Sequence, residues 1–485
     1  MAVKTTAVCR ATFDQVAGRR IACAPAAFGR RGLLSAGVLA ACDRTTVRRG
    51  EPTGGRFSTF AAAPDQLPPL PAPPAAGSAQ ERTEIVELLK LVQEGRNSAE
   101  AVATARHWAA SAAVRWNEVA RDLVASHRTD PPMASRVYAL LSVAQFDTLV
   151  AVYRYKYRFR RSDPATTAAI TPLLAGPALD PSYPCSHAAV AGASAELLAH
   201  LYPDAAPSLK LTCVQHQESR LRAGLCFRSD LAAGDQLGRA AAGLIITRAR
   251  GDGADVASVV DVPAGPGRWR CAPGEKPGAA HWGGVRPWLM TSGRQFRAPP
   301  PPPFDSAAFR AALAEVRRVS DQRTPEQKRT AALWADGAGS YTPPGRWNKT
   351  ASDLVLIAGL NEIRAARVLA LMNVAVMDAG IACWETKYHF WMLRPSQADP
   401  AITTPVALPN FPSYTSGHAA FSTAAATVLG HLFAAQAASL ATAAREASLS
   451  RLYGGIHYRF DAEAGAVQGQ QVAALAIQRA REDGA

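Results

Sequence analysis

The chain repeats itself at one fixed spacing. Arg115-Trp116-Asn117 recurs 231 residues later as Arg346-Trp347-Asn348, Pro181-Ser182-Tyr183 as Pro412-Ser413-Tyr414, and Ser219-Arg220-Leu221 as Ser450-Arg451-Leu452. Between Arg228–Ala254 and Arg459–Ala485, 14 of 27 positions are identical. A period this long, with no net insertion between landmarks, describes two copies of one complete unit rather than a stack of short repeats. Apolar residues at i, i+3 and i+4 predict helices over 83–106, 108–127, 134–154, 187–202 and 231–250, and again over 351–359, 361–384, 418–435 and 462–482. Strand-like alternation is scarce. The expected fold is all-α: two tandem, duplicated four-helix-type bundles related by pseudo-twofold symmetry, one over 83–254 and one over 331–485. The 255–330 connection is rich in Pro and Gly, with Trp269, Trp282, Trp288 and a Pro299–Pro303 run. A connection of that length is expected to be a lid or rim that wraps the joined bundles.

The second copy carries three basic clusters in order: Lys387-x6-Arg394-Pro395, then Pro412-Ser-Tyr-Thr-Ser416-Gly417-His418, then Ser450-Arg451-x5-His457-x3-Asp461. Together they describe a pocket for a tetrahedral oxyanion. Lys387, Arg394 and Arg451 would neutralise its oxygens, Arg by a bidentate fork. Ser416 and Gly417 would add a hydroxyl and backbone N–H donors where a helix begins and its dipole favours an anion. Two histidines remain, each at motif spacing, and they need different jobs.

These residues resemble the type 2 phosphatidic acid phosphatase and vanadium haloperoxidase superfamily, whose signature is KxxxxxxRP, PSGH and SRxxxxxHxxxD. The resemblance implies that Lys387, Arg394 and Arg451 hold the equatorial oxygens, that His418 is acid and base, and that His457, oriented by Asp461, is the apical ligand or nucleophile. Thr415 stands where PSGH has its proline, so the turn loses a fixed φ. The tandem architecture is similar to the haloperoxidase branch, as are Trp384 and Phe411, which match aromatic positions near the cofactor there. On that branch His457 would bind vanadate as its protein ligand, with hydrogen peroxide and halide as substrates. The alternative is an exported acid phosphatase in which His457 attacks a phosphoester and His418 protonates the leaving alkoxide. A third reading is an oxyanion-binding protein without turnover, against which the intact His418 argues.

In the first copy Lys156, His187, Arg220 and Asp230 survive, but Asp163 replaces Arg394, Cys185 and Ser186 replace Ser416 and Gly417, and Cys226 replaces His457. A carboxylate in place of the guanidinium disfavours an oxyanion, so this bundle is read as degenerate. The alternative is a second site of altered chemistry on His187 and Cys226.

Residues 1–42 read as an export signal. Arg30-Arg31 precede a short apolar run that ends in Leu-Ala-Ala-Cys42, a lipoprotein-type box, and the run is too short to span a bilayer. A membrane would then be reached only through a lipid on Cys42, leaving the protein tethered, periplasmic or extracellular. Residues 43–82, Pro- and Ala-rich, are expected to be a disordered stalk. The formal charge of +14 is no nucleic-acid signal: residues 1–41 hold six Lys or Arg against one Asp, and the rest is spread without aromatic interleaving. Eight cysteines in 485 residues make no disulfide framework, although an oxidising compartment would permit a pair such as Cys213 with Cys226.

Overall fold

The structure is a computed structural model describing residues 50–168, 170–174, 180–257 and 260–485. The expected export signal and Cys42 lie outside the described residues. The described chain is helical, with no strand among those residues. In its first half run α1 (Ala79–Arg96), α2 (Ala99–Ala109), α3 (Ala112–Ser126), α4 (Pro131–Phe159), α5 (Ser186–Leu201), α6 (Ala206–Arg222) and α7 (Arg228–Arg250). The second half repeats the order as α8 (Ala307–Asp321), α9 (Pro325–Leu333), α10 (Thr342–Ile357), α11 (Glu362–Phe390), α12 (Gly417–Leu432), α13 (Ala437–Tyr453) and α14 (Arg459–Glu482). From α4 onward the paired helices start 231 residues apart.

Local chemistry sets the starts. Ser78, Ser98, Ser111 and Asp130 accept the N–H three residues on at the heads of α1 to α4, and Asn361 and Ser416 do so for α11 and α12. The cap at Ser98 is why the single helix expected over 83–106 is two. Helices α6 and α13 were not expected, since their Ala/Ser-rich and polar sequences lack a clean apolar stripe; α8 lies inside the 255–330 connection, with Phe309 and Val316 buried.

The core is built on α4 and α11, 29 residues each, which pack on one another and are apolar almost all round. Helix α11 is long and apolar enough to cross a membrane, but 94% of its most apolar window is buried inside the protein, so it is a core helix. Near its middle Asn373 Nδ2 donates to Ser142 Oγ at 2.9 Å, and Arg121 Nη1 to Ser352 Oγ at 3.3 Å. Both pairs are 231 residues apart. Contact between residues at matching places in the two halves is what a pseudo-twofold arrangement would produce. On each side a helix crossing depends on glycine: a Cβ on Gly469 would sit 2.5 Å from Ala420 O, and one on Gly238 2.1 Å from Ala189 O.

The expected stalk is corrected from residue 50 onward. Phe57, Ala62, Leu67 and Leu70 are buried, and the buried Asp147 of α4 accepts the N–H groups of Phe60, Ala61 and Ala62, each at 2.8 Å. Residues 286–299 of the connection do the same in the other half. There Asp378 accepts from Trp288, Leu289 and Met290, and Tyr414 Oη–H donates to Pro299 O at 2.7 Å just as Tyr183 does to Pro71 O. A proline-rich strap has no helical period and reads as disorder, yet it lies stably on a surface once a buried carboxylate satisfies its N–H groups. The first strap also reaches across to the second half: Ser58 N–H donates to Asp483 O, Arg479 donates to Ser58 O and Thr59 O, and Glu51 pairs with Arg364.

Candidate active site

The sequence-assigned residues of the second half converge from four places. Lys387 lies in the last turn of α11, and Arg394 follows at the head of the short helix Pro395–Ala398. Ser416 caps α12, where Gly417 and His418 begin; Arg451 ends α13, His457 occupies the next turn, and Asp461 sits in the first turn of α14. The close α12–α14 crossing at Gly465 and Gly469 brings the last two groups together, and Ser416 N–H donates to Asp461 O at 2.9 Å.

Three buried cations line the pocket without a carboxylate partner. Lys387 Nζ donates to the carbonyls of Pro412 and Ser413, both at 2.9 Å, and of Thr415 at 2.5 Å. Arg394 donates to Phe411 O at 3.0 Å and Ile456 O at 2.7 Å, and Arg451 to Ala331 O at 2.7 Å and Ser450 Oγ at 2.9 Å. Among the described residues none of the three forms an ion pair, and Arg394 Nη2 is buried with no partner at all. Burial therefore pulls Lys387 down to about 8 and Arg394 and Arg451 to about 10. Phe411 packs against this charge, its ring centre 5.1 Å from both Lys387 Nζ and Arg394 Cζ and 4.9 Å from the Trp384 ring.

The imidazoles are neutral and differently tethered. His457 Nδ1 lies 2.8 Å from Asp461 Oδ2, so Nδ1 carries the proton and the Nε2 lone pair faces the cations, 3.5 Å from Arg394 Nη1. Burial, then Arg394 and Lys387, hold His457 well below the usual histidine range. His418 Nε2 donates to Trp334 O at 2.8 Å, which leaves Nδ1 as its acceptor; burial and Arg451 hold it low as well. Burial pushes Asp461 up to about 6, opposed by the hydrogen bond from Ser413 Oγ at 2.5 Å.

Sequence reasoning passed over the groups that position these. Ser413 holds Asp461, and Trp334 holds His418. Thr415, in the place of the signature proline, donates to Gln468 Oε1 at 2.5 Å, and the Gln468 amide donates to Thr386 Oγ1, Ala382 O and Phe296 O. The turn that lost its proline is thus tied by side chains. Ser413 had a signal, since Pro-Ser-Tyr recurs in both halves; Gln468 and Trp334 had none.

The first half is arranged differently. Lys156 still donates to Pro181 O and Ser182 O, but Asp163 turns away to cap the helix Pro164–Ala168. Arg161, unremarked in the sequence, is neutralised by Asp230 at 2.7 Å and Glu84 at 2.9 Å. Cys226 neighbours Cys185 in one buried cluster, while Cys213 lies against Gln217, so the pairing of Cys213 with Cys226 is not what the fold offers.

Residues 366–484 match the family model of the PAP2 superfamily. Over 185 residues the chain is 29% identical to the vanadium chloroperoxidase of Curvularia inaequalis, a match that spans 30% of this chain and 30% of that relative's length. Among solved structures the first bacterial vanadium-dependent iodoperoxidase is similar with a TM-score of 0.62 and 25% identity, covering 75% of this chain and 95% of that one. The holo-type bacterial vanadium-dependent chloroperoxidase shares the fold, at a TM-score of 0.57 and 14% identity, over 74% and 93% of the two chains.

Proposed function

We propose, for a chain whose residues 366–484 are a PAP2 superfamily domain and whose homologues are vanadium haloperoxidases, that it oxidises halide with hydrogen peroxide at a vanadate held by His457. The observation that carries this is the buried cation set of Lys387, Arg394 and Arg451, unpaired by carboxylate and with Arg394 Nη2 partnerless, beside His457, whose Nε2 faces Arg394. Such a set is costly unless an anion completes it. The residues therefore fit an oxyanion. His457 Nε2 would be the protein ligand, Arg394, Arg451, the Ser416 hydroxyl and the Gly417 N–H would take the oxygens, and Lys387, its three N–H groups held by carbonyls, would supply positive charge.

When bound, vanadate supplies Lewis acidity toward peroxide without changing its own oxidation state. The rest is the chain's work. Asp461, held by Ser413, keeps the His457 proton on Nδ1 and so keeps Nε2 basic. His418, its Nε2–H fixed on Trp334 O, can take a peroxide proton at Nδ1 and return it. Lys387 would place positive charge beside the bound oxyanion, and Trp384 and Phe411 would cover that flank with aromatic rings. Iodide is the halide to try first, since the 25% identical structure is an iodoperoxidase. Export with a lipid on Cys42 remains part of the proposal.

The test loads the protein with orthovanadate and follows iodide and bromide oxidation by peroxide, beside hydrolysis of a chromogenic phosphate by the vanadate-free form. Halide oxidation lost in His457→Ala supports the proposal. Vanadate-inhibited phosphate release without halide oxidation replaces it with a phosphohistidine phosphatase, and binding without either leaves an oxyanion-binding protein.

A further inference from the structure

The first half holds a buried chemical site that the haloperoxidase reading does not use. Its residues occupy the positions of the second pocket at the 231-residue spacing: Cys185 for Ser416, Cys226 for His457, Lys156 for Lys387, Arg220 for Arg451 and His187 for His418. Cys185 stands at the N-cap of α5, at the positive end of its dipole, 7% exposed; Cys226 is 1% exposed. Both are buried members of one side-chain cluster, packed with Phe227 and Leu231. Lys156 is buried and, like Arg220, makes no ion pair among the described residues, while Asp230 is claimed by Arg161. Trp116 Nε1–H donates to His216 Nδ1 at 3.2 Å, so His216 Nε2 donates to His187 Nδ1 at 3.0 Å, and His187 is fixed as a neutral Nε2–H donor.

An anion is favoured here, but the guanidinium of Arg394 and the imidazole of His457 have no counterpart to hold a bound oxyanion. A thiolate would supply the anion from within. We propose that Cys185 and Cys226 are a peroxide-reactive dithiol, in which Cys185 is oxidised by hydrogen peroxide and Cys226 closes the disulfide. The neighbouring Cys226, and more weakly Lys156, draw the Cys185 thiol down to about 7 against its burial, whereas Cys226 is pushed up. The place of Cys185 at the head of α5 assigns attack to that sulfur and resolution to Cys226.

The Cys185 thiolate attacks one peroxide oxygen, the O–O bond breaks, and the departing hydroxide takes a proton to leave as water, giving a sulfenic acid on Cys185. The Cys226 thiol then attacks that sulfur; the S–O bond breaks, the S–S bond forms and a second water leaves. Two thiols lose two electrons, and one peroxide gains them. This inference rests on the proposed function only for the presence of peroxide, so its test omits vanadate and halide.

The full-length reduced protein, free of vanadate, is treated with equimolar hydrogen peroxide, denatured in alkylating agent and mapped by peptide mass. The expected result is a Cys185–Cys226 cross-linked peptide formed at least ~10-fold faster than any oxidation of the buried comparators Cys213 and Cys383. Cys226→Ser should stop at a sulfenic acid on Cys185 that dimedone traps, and Cys185→Ser should leave Cys226 alkylatable. Cys185 and Cys226 that stay as alkylatable as Cys213, or a cross-link to another cysteine, overturns the proposal. The wild-type arm decides even where a variant folds poorly.

Discussion

Asn348 Nδ2 donates to Asn117 Oδ1 at 2.7 Å, and the two residues hold the same place in the two halves of the chain. Asn117 in turn donates to Gln145 Oε1 at 3.0 Å, and Arg121 Nη1 donates to Asn348 Oδ1 at 2.5 Å. A buried polar chain thus runs through the axis that relates the halves, and every group in it depends on its neighbours.

Asn348→Ala should therefore destabilise the whole protein and not only the second half. The buried Arg121 guanidinium and the Asn117 carbonyl would each lose a partner, at a cost of roughly 1–3 kcal/mol. A urea midpoint shared by probes in both halves checks this; an unchanged midpoint would mean that the two bundles do not depend on this joint.

Replacing Asp461 with Asn should weaken oxyanion binding by about 10–100-fold, the usual consequence of disturbing the partner of a ligating histidine. Calorimetric titration with vanadate reads it, and phosphate serves as the control anion. Ser413→Ala should give the same change in smaller measure.

The depressed Lys387 sets a pH dependence whose sign follows from its protonation. Its value in the folded protein, about 8, lies below the ordinary 10.5, so unfolding takes up a proton between those limits and stability rises with pH from about 8 to 10.5. Binding runs the other way, since an oxyanion wants the charged ammonium. Above pH 8 the protein should take up about one proton on binding phosphate, visible as a buffer-dependent heat at pH 8.5 and missing in Lys387→Met. A heat independent of buffer would refute the assignment.

Phe57→Ala distinguishes a strap from a stalk. A disordered stalk would not register the change, whereas a buried Phe at 3% exposure should cost about 3–5 kcal/mol. Thermal melting is sufficient to decide.

What the sequence disclosed follows from how each group announces itself. Lys387, Arg394, His418, Arg451, His457 and Asp461 are charged or titratable residues at fixed intervals, with Ser416 beside His418, and the fold brings them to one site. Gln468, Ser413 and Trp334 act through a neutral amide, a hydroxyl and a backbone carbonyl, chemistry that any buried position could supply. The long helices α4 and α11 were legible from their apolar runs, though each extends several residues beyond the expected limits. Helices α13 and α6 were not, because alanine in the first fits packing from any side and polar residues interrupt the second, so neither leaves a stripe. The strap over residues 50–74 was read as disorder because proline content and missing periodicity look alike in an extended segment that is buried and in one that is free.

The clasp between that strap and α14 also bears on how the chain can be processed. Helix α14 carries Asp461 at one end and Arg479 and Asp483 near the other, where they grip Ser58 and Thr59. A protease that trimmed the leader past Glu51 would remove the partner of Arg364, and a few residues further would loosen the far end of the helix that orients His457. If a leader is removed, a new amino terminus upstream of Glu51 would keep these contacts, and one beyond Thr59 would lose them.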